Sequence, residues 1–557
     1  MELPKHLARY CVEQDYSRYT PVDQAAWRHI MRQLKSYLSV HAHPSYLDGL
    51  RKTGIETDQI PSIAVMNERL QAFGWQAVPV SGFIPPAAFM ELQSLGVLPI
   101  ASDMRTVEHM HYTPAPDIVH EAAGHAPILV DPAFAAYLKA YASVARKAII
   151  SKHDMDQYEA IRVLSDLKED PSSTAEQVKS AEENLSAVSH SISELSEAAL
   201  LGRMNWWTAE YGLIGDLNNP KIFGAGLLSS IGEARSCLNP SVKKIPLTID
   251  CIKYAYDITE QQPQLFVVPE FSRLGEVLEE LAAQMAFRVG GTSSLEKARR
   301  AETVNTVELN TGIQISGRLK SYETHNGEPA YLSFEGPTQL AMSGYEIHGQ
   351  GTEQHTHGFG SPVGDFELRR GGEPISIEDA VGFNVSLHFT SGVLVEGRLR
   401  QVLRNRERKV ALMSFATAQV TRGSKLLFDP SWGEYDMTVG TTVTSVYGGP
   451  ADREAYGETE DFTRKLVPRR TYSAETLALH TLYRDVRKAG AQTDLDALYG
   501  KSKADDWLIR CEILEQAERF EKIPLIARIR NDLAVLAQTD KTVAGHIDDA
   551  LRTLHLK

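Results

Sequence analysis

The chain of 557 residues is 43% hydrophobic and 23% charged, with a formal net charge of −14 and four cysteines. Such a length supports several hydrophobic cores, and the balance excludes a disordered or disulfide-stapled chain and argues against nucleic acid as a partner. Cys11, Cys237, Cys251 and Cys511 share no CxxC spacing, no apolar run reaches the roughly eighteen residues of a membrane span, and no signal core opens the chain, so a cytoplasmic protein acting on small molecules is expected.

From the N-terminus, Ala26, Trp27, Ile30, Met31 and Leu34 recur at helical spacing between Asp23 and Leu38, and residues 78–86 are short and extended, closing on a Pro-Pro break. The segment from Gly82 to Arg105 is expected to form a wall of the site that follows. That site is announced by Thr113–Leu129, TPAPDIVHEAAGHAPIL, in which His120 and His125 stand five residues apart. The HExxH of zinc proteases puts its two histidines at i and i+4 on one helix face. Here a continuous α-helix would point the two rings about 140° apart, so the spacing predicts a helix that ends at Gly124, with Pro127 preventing its return. Asp117, one turn before His120, is placed to orient that ring.

Asp131-Pro132 opens a further helix to about Ile150. Between residues 151 and 199, Val178, Ala181, Leu185, Val188, Ile192, Leu195 and Ala199 repeat at steps of three and four, Ser173 and Glu176 fit a capping box, and Asp170-Pro171 makes a break, predicting an antiparallel helical hairpin. Next, Asn205-Trp206-Trp207-Thr208-Ala209-Glu210-Tyr211-Gly212 sets a carboxylate in an aromatic, apolar stretch. A lone charge there is expensive, so Glu210 is the expected third ligand beside His120 and His125. Two histidines and a carboxylate on one side of an ion form the facial triad of non-haem Fe(II) oxygenases. Gly224, Ala225 and Gly226 then mark a close backbone approach.

Beyond residue 300 the apolar spacing shifts to alternation. Gly317-Arg318-Leu319-Lys320 with Ser333-Phe334 returns as Gly397-Arg398-Leu399-Arg400 with Ser414-Phe415, predicting a duplicated β unit, a barrel or sandwich, over residues 301–455. A Gly-rich loop there holds His348, Glu353, His355 and His357, a candidate second metal site. Helices are expected again over 470–557, and the whole of 301–557 is expected to fold apart from the catalytic half, serving assembly or regulation.

The run from Arg105 through TPAPDIVHEAAGHAPIL, then WWTAEYGL, FGAGLLSSIGEARSCL and LFVVPEFS, resembles the pterin-dependent aromatic amino acid hydroxylases, their phenylalanine-hydroxylating members above all. The resemblance implies a mainly α catalytic domain over 1–295, interrupted by the hairpin at about 151–199. It implies a monooxygenase of phenylalanine catabolism that converts L-phenylalanine to L-tyrosine with O2, Fe(II) and tetrahydrobiopterin or another tetrahydropterin. In that family the pterin gives two electrons, one oxygen atom enters the ring and the other leaves on the pterin. The iron ligands implied are His120, His125 and Glu210; the pterin pocket is implied at Gly82, Ile84 and Phe89, with Glu121 facing the pterin in a catalytic role. Arg105, Thr113, Trp206 and Ser229 fall at substrate positions, Arg105 holding the α-carboxylate, and Ile258 falls near the pocket. The open alternatives are a tyrosine or tryptophan hydroxylase, or a regulatory protein keeping the fold without the activity. A homo-oligomer through the hairpin or the C-terminal half is expected.

Overall fold

A computed structural model of the chain describes residues 3–82, 84–110, 116–169, 173–192, 194–257, 260–457 and 471–554. Their contacts gather into two compact units. One combines Tyr10–Tyr141, Arg203–Gly275 and Thr463–Lys557; the other combines Met1–Arg9, Ala142–Gly202 and Glu276–Phe462.

The first unit is built on the helix Pro21–His41. Thr20 and Asp23 cap it reciprocally, each side chain meeting the other's backbone N–H, and Ala26, Trp27, Ile30, Met31, Leu34 and Leu38 are buried along it. Two small sheets accompany the helices, which the mainly α expectation does not contain. Gln76–Val80 pairs in parallel with Val97–Ala101, and a four-stranded sheet runs in the order 219–222, 213–216, 264–268, 243–246.

The C-terminal helices belong to this same unit, so the expected break near residue 295 is not where the compact units divide. The physical reason is on the Pro21–His41 helix, which turns Arg28, His29 and Gln33 inward as well as its apolar residues. Buried charge must be paired. Arg28 Nη2 donates to Glu512 Oε2 at 2.6 Å and Nε lies 3.0 and 3.1 Å from the two carboxylate oxygens, while Arg32 meets Glu515 at 2.7 Å. Beside them the Trp507 ring stacks on His546, centroids 5.0 Å apart, and meets the His29 ring edge-on at 4.8 Å. These partners lie on Trp507–Arg519 and Lys541–Leu554, both far from helix Pro21–His41 in sequence.

In the second unit the hairpin is present as Lys152–Glu169 and Ala175–Ser191, with Gln157 against Ser189 and Lys168 against Glu182 giving its antiparallel register. Its second helix is capped by Thr174 and Gln177, one residue later than expected. It ends at Ser191, with Ile192 extended beyond it, and Ala199 belongs to a separate helix, Glu197–Asn205.

The sequence echo is an architectural repeat. Strands 304–309, 313–325 and 328–342 form one antiparallel meander and 384–389, 393–404 and 410–422 form another, in a six-stranded and a seven-stranded sheet. Leu319 pairs with Phe334 in the first and Leu399 with Phe415 in the second, and both hairpins shift register immediately after that leucine. Each repeat has its own apolar core, and the two cores exchange residues: Tyr331 lies in the second core, while Leu412, its counterpart in the repeat, and Ala411 lie in the first. His355 in the Gly-rich loop is buried, bonded to Gln350 at 2.8 Å and set against the Phe359 ring, whereas His348, Glu353 and His357 are exposed. Among the described residues these side chains form no cluster able to hold a metal, which corrects the second-site expectation.

Candidate functional site

The segments that carry His120, His125 and Glu210 are both π-helical, Val119–His125 and Trp206–Glu210. A π-helix closes its turns with i→i+5 hydrogen bonds, so residues five apart stack one above the other. The helix therefore does not stop at Gly124: wider winding, not termination, brings His120 and His125 to the same side. Gly124 serves packing instead, since a Cβ there would stand 2.6 Å from the carbonyl oxygen of Ala225. Gly224 is constrained alike, its absent Cβ falling 2.4 Å from the Glu210 carbonyl oxygen. The small residues at 224–226 thus let the Ala225–Leu228 turn nest between the two π-helices.

Three donors converge in the resulting space. His125 Nε2 lies 3.2 Å from His120 Nε2 and 3.2 Å from Glu210 Oε1, and His120 Nε2 lies 3.4 Å from Glu210 Oε2. An ion bound at about 2.0–2.2 Å by nitrogen and oxygen separates its ligands by about 3.0 Å at right angles and about 3.4 Å at tetrahedral ones. The separations fall in that range, each histidine meeting a different oxygen of the one carboxylate. Burial raises the Glu210 pKa, but the neighbouring His125 and His120 outweigh it and hold the carboxyl below its ordinary range.

The His120 tautomer follows from counting protons. The Ser229 hydroxyl gives its single hydrogen to the Ala225 carbonyl at 2.7 Å, so towards His120 Nδ1, at 3.1 Å, it can only accept. Nδ1 then carries the proton and Nε2 turns a lone pair to the shared point, as a metal ligand requires. The partner of this ring is Ser229 and not Asp117. Asp117 accepts the His120 backbone N–H at 3.0 Å and engages Arg105 in a bidentate pair, both bonds 2.7 Å, with both side chains almost wholly buried. The fork expected to grip a ligand is therefore half occupied: Nε and Nη2 serve Asp117, while Nη1 has a 3.5 Å contact to the Ser229 carbonyl. A carboxylate oxygen of Glu121 lies within 4.8 Å of a ring nitrogen of each histidine, and its Oε2 has no hydrogen-bond partner among the described residues; burial pushes its pKa up to about 7.

Trp206 is covered on both faces, its ring stacked on Tyr211 at 4.4 Å and on Tyr256 at 4.3 Å, which leaves only its edge to offer. Gly82, Ile84 and Phe89 fall on the connection between strands 76–80 and 97–101. Gly82 adopts a left-handed φ of +58° with its N–H on Asp103, Ile84 is buried, and Phe89 is half-buried in helix Pro86–Ser94. Thr113 and Ile258 lie outside the described residues. Sequence reasoning missed the Arg105–Asp117 pair, the Ser229–His120 bond and the two tyrosines on Trp206; only the five-residue histidine spacing carried a usable signal, for the π-helix.

Comparison with known proteins covers about the first half of the chain. A family model of biopterin-dependent aromatic amino acid hydroxylases matches residues 9–149 and 180–306, so the unmatched stretch is narrower than the insertion expected at 151–199. The phenylalanine-4-hydroxylase of Mesorhizobium japonicum is 28% identical over 276 residues, 49% of this chain and 84% of that protein. That of Pseudomonas aeruginosa is 26% identical over 282 residues, 50% of this chain and 90% of that protein. The crystal structure of Chromobacterium violaceum phenylalanine hydroxylase with bound oxidised Fe(III) is 25% identical, covers 51% of this chain and 93% of its own, and aligns with a TM-score of 0.39. Through residues 9–149 and 180–306, the chain belongs to the biopterin-dependent aromatic amino acid hydroxylases.

Proposed function

We propose that the chain hydroxylates L-phenylalanine to L-tyrosine, using O2, a tetrahydropterin such as tetrahydrobiopterin, and Fe(II) held by His120, His125 and Glu210. The observation that carries this reading is the triangle of two imidazole nitrogens and a carboxylate with edges of 3.2–3.4 Å. With their lone pairs turned inward, three such groups can share one cation, and three ligands on one face leave the opposite positions open. When bound, iron and pterin together activate O2, the pterin supplying two electrons.

The protein's own residues place and hold. Ser229 keeps the His120 lone pair on the metal side. Asp117 fixes the Arg105 plane so that Nη1 remains to take the substrate's α-carboxylate beside the Ser229 carbonyl. Glu121 faces the pterin, with Gly82, Ile84 and Phe89 lining that pocket and Thr113 completing the carboxylate site. The tyrosine-sandwiched Trp206 presents a rigid edge to the substrate ring. The choice of phenylalanine is supported by the names of the relatives above.

The test is product analysis of the purified chain with Fe(II), tetrahydrobiopterin, O2 and each aromatic amino acid in turn. Tyrosine formed from phenylalanine is expected. An iron-loaded chain that oxidised pterin but gave no hydroxylated product from any of the three would sink the proposal.

A further inference from the structure

The metal site is tied to a helix near the far end of the chain. Ser229 is a node: its hydroxyl accepts from His120 Nδ1 and its carbonyl oxygen lies 3.5 Å from Arg105 Nη1, so any shift of this residue reaches both the ligand and the carboxylate grip. Directly after it, Ser230 caps the six-residue helix Ile231–Ser236. A helix that short has no stability of its own and sits where its contacts hold it. Ile231 and Ala234 bury its apolar side. Its charged anchor is Arg235, whose Nη1 donates to Asp549 Oδ1 at 2.6 Å and whose guanidinium lies over the Tyr37 ring. Asp549 lies on Lys541–Leu554 and its side chain is 5% exposed; such a buried carboxylate has to be paired, and Arg552 supplies a second bond at 2.9 Å.

We propose that Asp549 is a positioning residue for the hydroxylase centre: through Arg235 it fixes Ile231–Ser236 and hence the Ser229 node that orients His120 and borders Arg105. This rests on the reading of His120, His125 and Glu210 as the iron site. It assigns the C-terminal helices a part in the chemistry of the preceding half.

The experiment compares the full-length parent with Asp549→Asn, Asp549→Glu and, as a control for loosened docking elsewhere on the C-terminal helices, Glu512→Gln. Three quantities are measured below the unfolding temperature: Fe(II) affinity by titration, the KM for phenylalanine, and the His120 ring tautomer in metal-free protein from imidazole nitrogen shifts. Direct loss of a partner that orients a metal ligand weakens metal binding by about 10–100-fold; one step removed, Asp549→Asn should weaken Fe(II) binding and raise KM by roughly three- to tenfold. It should also reduce the Nδ1–H population of His120. Asp549→Glu should recover part of each change, and Glu512→Gln should lower stability while leaving all three in place. The proposal is overturned if Asp549→Asn matches the parent in affinity, KM and tautomer, or if Glu512→Gln produces the same changes. If instead the parent takes up no Fe(II), the iron reading fails, and the tautomer comparison still decides whether Asp549 positions His120.

Discussion

The unit carrying the site and the unit of paired sheets are stabilised in different ways. The first buries charge: Arg28, Arg105, Asp117, Glu121 and Glu512 are all buried, and it winds two segments as π-helices packed on glycines that no other residue can replace without a clash. The second buries one paired carboxylate outside its sheets, Glu197 against Lys297 at 2.8 Å, and in the sheets it buries alternating aliphatic and aromatic residues in two cores, with His355 and Asp436 the ionisable side chains other than tyrosine that are buried among described residues 304–448. Departure from ideal packing is concentrated where a function needs it, and regular packing fills the rest. The contrast breaks if substitutions at buried polar positions of the first unit prove as mild as ordinary surface changes.

The largest effect is expected at the site. Glu210→Ala removes the carboxylate we propose as an iron ligand, so Fe(II) affinity should fall by at least about 100-fold and hydroxylation with it. Metal titration of parent and variant checks this; equal affinities would remove Glu210 from the triangle. Next comes Glu512→Ala, which leaves the Arg28 guanidinium buried without its carboxylate, with the Asp58 carbonyl 3.4 Å from Nη1. Breaking a buried pair from one side costs about 3–5 kcal/mol. Chemical denaturation should show that loss, and a cost below about 1 kcal/mol would mean that the C-terminal helices lean on helix Pro21–His41 far less than its buried arginine implies. By the same reasoning, a chain cut near Gly291 should not fold as a working hydroxylase, because Arg28 would lose Glu512, His29 the Trp507 and His546 rings, and Arg32 Glu515.

Legibility in the sequence followed the same division. The β repeat was readable because alternation and the echoed Gly-Arg-Leu encode it locally, down to the paired leucine and phenylalanine. That His120, His125 and Glu210 meet was readable from side-chain chemistry, since two histidines and an acid in apolar surroundings tend to seek one another. What connects them was not. The Arg105–Asp117 pair, the Ser229 hydroxyl and the docking of residues 471–554 join side chains distant in sequence, and no periodicity announces such a contact. The π-helix lay between these cases: the spacing of His120 and His125 showed that an ordinary helix could not serve, and the wrong remedy, a stop at Gly124, followed from assuming α-helical winding.

A smaller effect is expected at Arg105. Lysine in its place keeps the charge but cannot hold Asp117 with two bonds while leaving a donor for the substrate. The KM for phenylalanine should rise by about tenfold with Fe(II) affinity nearly unchanged, about 1.4 kcal/mol at the amino acid alone. An unchanged KM in steady-state assays would detach Arg105 from substrate binding.

The smallest effect tests the repeat itself. Gly317 and Gly397 open the same echoed motif, yet they meet different surroundings. A Cβ on Gly397 would come within 2.3 Å of the Thr417 carbonyl oxygen, which belongs to the paired strand and cannot move without distorting the ladder. A Cβ on Gly317 would come within 2.9 Å of the Thr338 hydroxyl, which can rotate away. Gly397→Ala should therefore cost about 1–3 kcal/mol, as overpacking does. Gly317→Ala should stay within about 1 kcal/mol of the parent, because alanine also recovers the roughly 0.5–1 kcal/mol that glycine forfeits in a strand. Denaturation midpoints of the two variants measure the difference directly. If Gly317→Ala were as costly as Gly397→Ala, the glycine would be required by the repeated hairpin as such, and the two copies would be equivalent where their contacts say they have diverged.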